Sequence, residues 1–411
     1  MSIDAASRPL RVAVANWSFR RVGGTETYLS AILPQMLKHG MEVGIVREME
    51  RPMDRARIEL PGEVPEWNLE VLGLDGVLQG VRDWGPDVIY THILEDPDLE
   101  EGLLDIAPSV FDAHAYYGTC ISGFKAHAWP VARPCHKQFG LPCLIHYLPR
   151  GCGGRNPVTM VRRFQREVRR AKLLPRYGAL VVHSSYMREE YAQHGVERER
   201  IFNLSLGLFA DAPADPLELG QVPVQLVPAQ AATGKAPVRL VFSGRMDRPK
   251  GGSLLLESLP LIQRALDRPV LLTLAGDGPV RERWEREAAH LMRHHTDIEV
   301  VFAGWLSSKD VTDLFSSGDL LTIPSVWPEP FGRIGVEAGR VSLPSVAFAV
   351  GGIPDWLIDG VNGHLASGEP PTAVGFAEAV VKALRDPVHH AMLRNGARAR
   401  SAGVIETGPP P

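Results

Sequence analysis

Short apolar runs alternate with longer amphipathic stretches along the first half of the chain. The first apolar run is followed by a polar loop ending at Gly24, and the apolar positions then recur at helical spacing. Thr25 is the predicted N-cap of this helix, and Gly40 is its predicted end. The predicted strands of this half lie at 10–15, 42–46, 88–90 and 179–182. The alternation predicts a parallel sheet covered by helices.

The same alternation resumes in the second half. Residues 211–237 lack periodicity and are rich in Pro, Ala, Gln and Gly, which predicts a linker. The predicted strands beyond it lie at 238–242, 271–275, 299–302 and 320–323. We therefore expect an α/β protein of two Rossmann-like domains, residues 1–210 and 238–400, with 401–411 as a flexible tail. Ligands of such sheets bind beyond the carboxyl ends of the strands.

Composition narrows the class of protein. The chain has 411 residues, 45% of them apolar and 22% charged, as in ordinary globular proteins. Its net charge of -4 argues against a general nucleic-acid binder. No apolar stretch approaches the ~20 residues that span a bilayer, and residues 1–8 lack the apolar core of a signal peptide. We expect a cytoplasmic protein.

The loop after the predicted strand 238–242 carries two cations, Arg245 and Lys250, among glycines. A diphosphate leaving group needs cations at bonding distance, and this loop supplies two. Taken alone, the pattern fits a solvated basic loop better. Two further features of this half decide between the two interpretations.

Both features lie at predicted loops. The run 276–279, Gly-Asp-Gly-Pro, ends a strand in a tight turn where a base or ribose can approach the backbone, although such turns are common. The run 328–332, Pro-Glu-Pro-Phe-Gly, leads into a helix whose first amides can bind a phosphate. Glu329 precedes this helix and Glu337 lies on it, so the two carboxylates can reach different parts of one ligand.

These blocks resemble, in the same order, the retaining glycosyltransferases of family four, also called glycosyl transferases group 1. The resemblance implies the GT-B fold, in which two Rossmann-like domains face each other across a cleft. The matching segments are 243–245, 250–251, 275–279, 329–332 with Glu337, and 351–354. Five blocks, each after a predicted strand, make a specific match.

The resemblance also implies catalytic roles. Arg245 and Lys250 would neutralise the departing nucleoside diphosphate, and Glu329 would bind the hydroxyls of the donor sugar. Glu337 would hold the ribose hydroxyls. In the first half, His114 matches the family's histidine near the reacting sugar.

Further donor-binding residues follow from the same resemblance. Gly23 and Gly24 resemble the family's glycine-rich loop facing the donor phosphates, and the amides of Phe331 and Gly332 would lie near the sugar and phosphate. The turn residues of the predicted donor site are Gly244, Gly276, Asp277 and Gly278.

The implied reaction is a hexosyltransferase-like transfer with retention at the anomeric carbon. The leaving phosphate oxygen would help to accept the acceptor's proton, and the protein would contribute positioning and charge stabilisation without a metal or other cofactor. The partners would be a nucleotide sugar and a glycan, lipid-linked or small-molecule acceptor. A nucleotide-sugar epimerase of the same fold and a catalytically inactive nucleotide-sugar-binding protein remain alternatives.

One feature departs from the family. Its members usually end in a long helix that crosses back to the first domain, whereas the helical pattern here fades by Arg400. The crossover helix is therefore predicted to be short or absent, and the coupling of domain closure to donor binding is in doubt.

Two other motifs are set aside. Asp96-Pro97-Asp98 has the Asp-x-Asp form that binds a divalent metal in the other glycosyltransferase fold, but it lies in an acidic loop and a metal role is disfavoured. The glycines near residue 23 do not form Gly-x-Gly-x-x-Gly, so the fingerprint of a nicotinamide dehydrogenase is missing.

All the cysteines of the chain fall within one short stretch. They are Cys120, Cys135, Cys143 and Cys152, with His127, His136 and His146 between them. Without a Cys-x-x-Cys pair a zinc site is disfavoured, and a reducing cytosol disfavours disulfides. Reduced thiols in an inserted loop, residues 118–155, are the leading interpretation. Because this loop closely follows His114, an acceptor-binding role is the alternative.

Residues 159–174 form a basic amphipathic segment. Its cationic face consists of Arg162, Arg163, Arg166, Arg169 and Arg170. Such a helix can lie on an anionic membrane. The favoured interpretation is a surface helix packed on the first domain.

Overall fold

The computed structural model describes residues 8–21, 23–51, 53, 55–204 and 235–406. Two parallel sheets organise these residues into two α/β domains, joined across the predicted linker. Of that linker, only 235–237 lie within the described residues. Among the described helices, none combines the length and apolar character that crossing a bilayer requires.

The first domain holds a seven-stranded sheet in the order β3-β2-β1-β4-β5-β8-β9. A separate antiparallel hairpin, β6–β7, lies between β5 and β8 in the sequence. The elements are β1 (Arg11–Asn16), α1 (Gly24–Lys38), β2 (Glu42–Arg47), β3 (Glu66–Asn68), α2 (Leu69–Trp84), β4 (Val88–Thr91), α3 (Pro97–Leu104), β5 (Ser109–Asp112), β6 (Ala126–His127), β7 (Arg133–Pro134), α4 (Pro142–Arg150), α5 (Pro157–Leu173), β8 (Ala179–Val182), α6 (Ser185–Gln193) and β9 (Ile201–Asn203).

The second domain holds a six-stranded sheet in the order β12-β11-β10-β13-β14-β15. Its elements are β10 (Val238–Ser243), α7 (Gly252–Leu266), β11 (Val270–Ala275), α8 (Arg281–His294), β12 (Ile298–Gly304), α9 (Ser308–Ser317), β13 (Leu320–Ile323), α10 (Arg333–Arg340), β14 (Ser345–Phe348), α11 (Ile353–Trp356), β15 (Gly363–Ala366), α12 (Ala373–Leu384) and α13 (Pro387–Glu406). All predicted strands are present, and none of their ends is shifted by more than two residues.

In both sheets the strand order reverses direction beside the first strand of the domain. The reversal lies between β1 and β4 in the first sheet and between β10 and β13 in the second. Loops at such a switch point diverge and leave a crevice, which is where ligands of open α/β sheets bind. A ligand site is therefore expected at the loops that follow β1, β4, β10 and β13.

Alternation along β1 shows how the first sheet is covered on both faces. Val12 and Val14 pack in a buried cluster with Leu29 of α1, whereas Ala13 and Ala15 pack with residues of α2 and α3. Successive side chains of a strand point to opposite faces, so a strand buried on both sides becomes apolar throughout. The covered sheet holds its strand ends rigidly.

The second domain has one large continuous core. Leu240 of β10, Leu255 and Leu259 of α7 and Trp284 of α8 are all almost fully buried within it. Full burial of a leucine side chain stabilises the fold by about 1.5–3 kcal/mol relative to exposure. This core anchors the loop between β10 and α7 at both ends.

Two predicted helix ends are wrong. Helix α1 begins at Gly24 with Gly23 as its N-cap, so Thr25 lies in the first turn instead of capping it. Helix α13 continues to Glu406, so the helix does not end at Arg400. That residues 401–411 form a flexible tail stays a prediction, and residues 407–411 lie outside the described part of the chain. The single Gly403 does not end the helix, and the prolines that would do so come only at 409–411.

Helix α13 packs within the second domain. A side chain at Gly339 of α10 would meet the Ala397 carbonyl oxygen and the Ser401 side chain, so the two helices lie in close contact. The described residues of α13 therefore form part of the domain that carries them, and the prediction that a long crossover helix is short or absent stays untested beyond Glu406.

Acidic residues of α3 pair with the basic face of α5. Arg170 is buried and lies 3.3 Å from Glu100, and Arg169 lies 2.5 Å from Asp98. Asp96 caps α3 by accepting the backbone N–H of Asp98, which explains the Asp-x-Asp sequence without a metal. The pairing favours the packed surface helix, and contact of residues 159–174 with a membrane stays a prediction.

Candidate active site

An ion pair joins the two loops at the switch point of the second sheet. Lys250 ends a 3₁₀ turn after β10, and its Nζ lies 2.6 Å from Oε1 of Glu329, which lies on the loop after β13. The Ser325 hydroxyl donates to the same carboxylate oxygen at 2.6 Å. The Lys250 side chain is 27% exposed, while that of Glu329 is 8% exposed. The pair therefore presents a cation to solvent above a buried carboxylate.

Glycines bring the neighbouring turn against this loop. A Cβ at Gly276, whose φ is +126°, would lie 2.0 Å from the carbonyl oxygen of Gly244. A Cβ at Gly278 would lie 2.3 Å from the carbonyl oxygen of Met246. Any side chain at these positions would force the two turns apart. The turns after β10 and β11 thus form one backbone-lined wall beside Lys250.

The remaining charged residues of the predicted donor site line the same edge more openly. Arg245 is 67% exposed, with its Nε 3.7 Å from Asp247. The Asp277 carboxylate accepts its neighbour's backbone N–H at 2.7 Å, which fixes the turn. Burial raises the pKa of Asp247. Arg245 is the more accessible of the two predicted phosphate-binding cations.

Helix α10 starts at this edge. Gly332 is its N-cap with a φ of +87°, and the side chain of Phe331 is buried in the core while its carbonyl oxygen accepts a hydrogen bond from Trp356 at 2.7 Å. Glu337 lies one turn into α10 and pairs with Arg333 at 3.1 Å. Glu337 and Glu329 thus lie apart, as the sequence predicts.

Three histidines follow neighbouring strands at the facing edge of the first sheet. His92 follows β4, His114 follows β5 and His183 follows β8. Nδ1 of His92 lies 3.0 Å from Nε2 of His114, and Nε2 of His183 lies 2.7 Å from Asp112, the last residue of β5. We call these three histidines and Asp112, together with Tyr28 and Tyr90, the histidine cluster.

Hydrogen bonds hold Asp112 at the centre of the cluster. Nδ1 of His183 faces the Leu204 carbonyl oxygen at 2.9 Å while its Nε2 faces Asp112. Tyr90 donates to the other oxygen of Asp112. Although Asp112 is buried, the neighbouring histidines hold the pKa of its carboxyl well below the usual range. The buried carboxylate is therefore balanced by its neighbours in the cluster.

The other two histidines of the cluster are neutral at neutral pH. Burial lowers the pKa of His92 to about 4 and that of His114 to about 3, because the charged ring loses its water. The charge of Arg333 on α10 acts in the same direction on His114, which shows that the second domain reaches it. His114 is therefore a neutral hydrogen-bonding ring at the edge of the first sheet.

Part of the cluster has the geometry of metal ligands. Ligand atoms of His92, Asp112 and His114 lie within 4.8 Å of one another. Hydrogen bonds within the cluster already engage these atoms, with His92 facing His114 and Asp112 facing His183. Nε2 of His92, by contrast, is buried without a hydrogen-bond partner among the described residues.

The glycine loop of the first domain lies after β1. Gly23 caps α1 without a side chain, and a Cβ on Gly24 would meet nothing within 4 Å. Glu26, in the first turn, is buried and accepts a hydrogen bond from Trp17 at 2.9 Å; burial raises its pKa. Two glycines before a helix leave its first amides open to a ligand.

A buried hydrogen bond connects the two domains at the site. The hydroxyl of Tyr116, in the loop after β5, donates to the carbonyl oxygen of Pro328 at 2.9 Å. Pro328 immediately precedes Glu329, so the hydrogen bond connects the histidine side of the site to the loop that carries Glu329. The backbone N–H of Ser185 also donates to Asp355 at 2.6 Å.

The residues that the sequence did not indicate are His92, His183, Tyr28, Tyr90, Tyr116 and Arg333. A usable signal exists for the two histidines, since each directly follows a short buried strand. One such histidine is uninformative alone, but three after neighbouring parallel strands share an edge. Nothing in the sequence pairs Tyr116 with Pro328.

Comparisons with known proteins agree with this geometry. Residues 237–386 match the family model described as Glycosyl transferases group 1. The described fold also superposes on the Anabaena protein HepE, solved in complex with UDP and glucose, with a TM-score of 0.62 over 97% of both chains at 17% identity. The architecture is GT-B.

Curated relatives share part of this chain. It is 32% identical over 138 residues to an uncharacterized glycosyltransferase of Methanocaldococcus jannaschii, covering 33% of this chain and 34% of that protein. It is 30% identical over 164 residues to a glycogen synthase of Mycobacterium tuberculosis, covering 40% and 38%. The chain thus aligns with between a third and two fifths of these relatives.

Proposed function

We propose that this chain is a retaining, metal-independent glycosyltransferase that moves a hexosyl group from a nucleotide sugar to a glycan, lipid-linked or small-molecule acceptor. The observation that carries the proposal is the pair of Lys250 and Glu329 at the switch point of a group 1 domain. A cation for phosphate and a buried carboxylate for sugar hydroxyls lie 2.6 Å apart there.

The arrangement supports loss of a nucleoside diphosphate. Lys250 and Arg245 place positive charge where the diphosphate oxygens gain negative charge as the glycosidic bond breaks. Glu329 is held by Ser325 as well as Lys250, so its position is fixed before the donor arrives. The leaving phosphate oxygen then takes the acceptor's proton on the same face, which retains the anomeric configuration.

The histidine cluster supports the sugar side of the reaction. Positive charge develops on the sugar ring as the leaving group departs, and a protonated histidine nearby would oppose it. Because its pKa is about 3, His114 can hydrogen-bond a sugar hydroxyl without adding charge. The first domain would thus orient the sugar while the second binds the leaving group.

Calorimetric titration with UDP, GDP and ADP tests the donor site, starting with UDP because HepE was solved with it. We expect tight binding of one nucleotide, weakened about 10–100-fold in Lys250→Ala by loss of a charge-assisted hydrogen bond. Arg248→Ala is the matched control, since it removes an exposed cation from the same 3₁₀ turn.

Two results would count against the proposal. If none of the three nucleotides binds, or if both variants weaken binding equally, the Lys250 loop is not a donor site. With a binding nucleotide in hand, NMR analysis of the product from the matching nucleotide sugar reports the anomeric configuration. Inverted product would contradict retention, and conversion of the sugar without an acceptor would indicate an epimerase.

A further inference from the structure

The four cysteines of the chain converge on one pocket of the first domain. The pocket is lined by all four of them together with Lys125, Lys137, His127 and His146. Each cysteine reaches it from a different local structure. Cys120 lies in the turns before β6, Cys135 directly follows β7, Cys143 lies in the first turn of α4, and Cys152 directly follows the end of that helix.

A backbone amide points at one of the sulfur atoms. The amide of Lys125 donates to Sγ of Cys120 at 3.3 Å. Sγ of Cys152 lies 3.4 Å from Nδ1 of His127, which also lines the pocket. Amide hydrogen bonds to sulfur are the outer-shell contacts that orient metal-bound cysteines. The Lys125 amide would orient Cys120 in this way.

Cysteine binds a metal ion as the thiolate, so four thiols that line one pocket can serve as ligands together only when a cation lies between them. The ion then supplies the positive charge that buried thiolates lack.

Fixed positive charge surrounds the pocket. Lys137 lines the pocket, and Arg133 and Arg150 lie close to His127 on its wall. Lys125 is buried and pairs with Glu190 at 2.5 Å. Four thiolates around a divalent ion carry a net charge of about -2, which such surroundings stabilise.

The segment that holds the pocket has little apolar core of its own. The regular structure of residues 118–155 consists only of a hairpin with two residues in each strand and the nine-residue helix α4. Leu141 and Ile145 are 71% and 73% exposed. Small units with too little apolar burial are usually held by disulfides or metal ions, and all four thiols here are free.

We propose that Cys120, Cys135, Cys143 and Cys152 together bind a thiolate-held metal centre, either a zinc ion or an iron–sulfur cluster. The centre is separate from the sugar-transfer chemistry, which needs no metal in the function proposed above. It positions the segment 118–155, where Phe124 packs edge-on against Trp327 at 5.6 Å. Trp327 in turn lies 5.7 Å from Nζ of Lys250.

Metal and acid-labile sulfide content of the full chain, purified without oxygen or chelator, tests the proposal. Zinc at about one per chain without sulfide indicates a mononuclear site. Iron with matching sulfide and visible absorption indicates a cluster. Either result supports a tetrathiolate centre. Four freely reactive thiols without metal, or two disulfides, would overturn it.

Cysteine variants test the ligand set. Cys135→Ser and Cys143→Ser should each weaken the metal's affinity by more than the ~10–100-fold caused by loss of an outer-shell contact. His136→Gln is the control, since His136 adjoins Cys135 but pairs with Glu369 instead of lining the pocket. Full metal content in both serine variants would refute the assignment.

A measurement on the wild-type protein tests the proposal even if the cysteine variants do not fold. Wild-type protein stripped with a chelator and then given Zn²⁺, or Fe²⁺ with sulfide, should regain the metal stoichiometrically, with lowered thiol reactivity and a raised thermal midpoint. Failure of the stripped, folded protein to take up either metal would refute the proposal independently of any glycosyltransferase assay.

Discussion

The carboxyl edges of the two sheets meet at one site but are built in opposite ways. On the second sheet, Lys250 and Arg245 are partly or largely exposed and the walls are glycine turns. On the first sheet, His92, Asp112 and His183 are buried and bond mainly to each other. The comparison teaches that the edge of the second sheet is arranged to bind a charged ligand. The charged groups at the edge of the first sheet are already balanced by one another.

The largest expected effect comes from unbalancing the buried edge. Asp112→Asn keeps the shape of the side chain but replaces the carboxylate with a neutral amide, so His183 and Tyr90 no longer share two acceptor oxygens. Removing one partner of a buried ion pair costs about 3–5 kcal/mol. Chemical denaturation should show a loss of this size, while nucleotide binding at the Lys250 loop persists under native conditions.

An exposed aspartate provides the control for this prediction. Asp105 pairs with Arg176 at 2.6 Å, but its side chain is 64% exposed, so Asp105→Asn should cost less than about 1 kcal/mol. Equal losses in the two variants would mean that the Asp112 pair is not the buried charge balance described here.

The two edges also differ in how far the sequence predicts them. Lys250, Glu329 and Gly276 each follow a strand within a few residues, so a local motif carries both the residue and its place. The histidine cluster has no such motif, because Asp112 and His183 are 71 residues apart and meet only through the pairing of β5 with β8. Pairing of that kind is set by the whole sheet.

The cysteine pocket could not be predicted from the sequence for the same reason. Zinc sites are usually recognised by two cysteines a few residues apart, which bind the ion from one local turn. Here the hairpin and α4 bring together residues that no local turn connects. By contrast, the strands of both sheets were predictable because apolar runs and helical periodicity are local properties of the chain.

A fall in pH should lower the stability of the first domain's sheet edge more than that of the second domain's. The unfolded histidine binds a proton near pH 6.5, whereas folded His92 does so only near pH 4. The unfolded state therefore binds more protons as the pH falls, and stability drops through this window. Between pH 7 and pH 5 the loss attributable to His92 is about 2 kcal/mol.

The measurement is the difference between wild type and His92→Gln, since other groups titrate in the same range. Burial raises the pKa of Glu48 to about 7, so the folded state favours its protonated form. The contribution of Glu48 to the free energy of unfolding therefore rises as the pH falls. This contribution is common to both proteins. Unfolding curves should show the variant losing about 2 kcal/mol less between pH 7 and pH 5. Equal losses in the two proteins would mean that folding does not lower the pKa of His92, as for a histidine in water.

The smallest effect tests the bond that ties the two edges together. Tyr116→Phe retains the buried ring and removes only the hydroxyl that donates to the Pro328 carbonyl oxygen. Loss of one hydrogen bond costs about 1 kcal/mol. Because Pro328 adjoins Glu329, we expect a lower kcat at saturating donor as well, measured as the rate of sugar transfer.

Tyr191→Phe separates stability from coupling. Tyr191 is equally buried, and its hydroxyl donates to the Ala115 carbonyl oxygen at 2.9 Å, within the first domain. Its loss should lower the free energy of unfolding by a similar amount and leave kcat unchanged. If both variants lower kcat alike, the rate follows the stability of the first domain. If only Tyr116→Phe does, the hydrogen bond holds Glu329 in register with His114, and the two differently built edges work as one site.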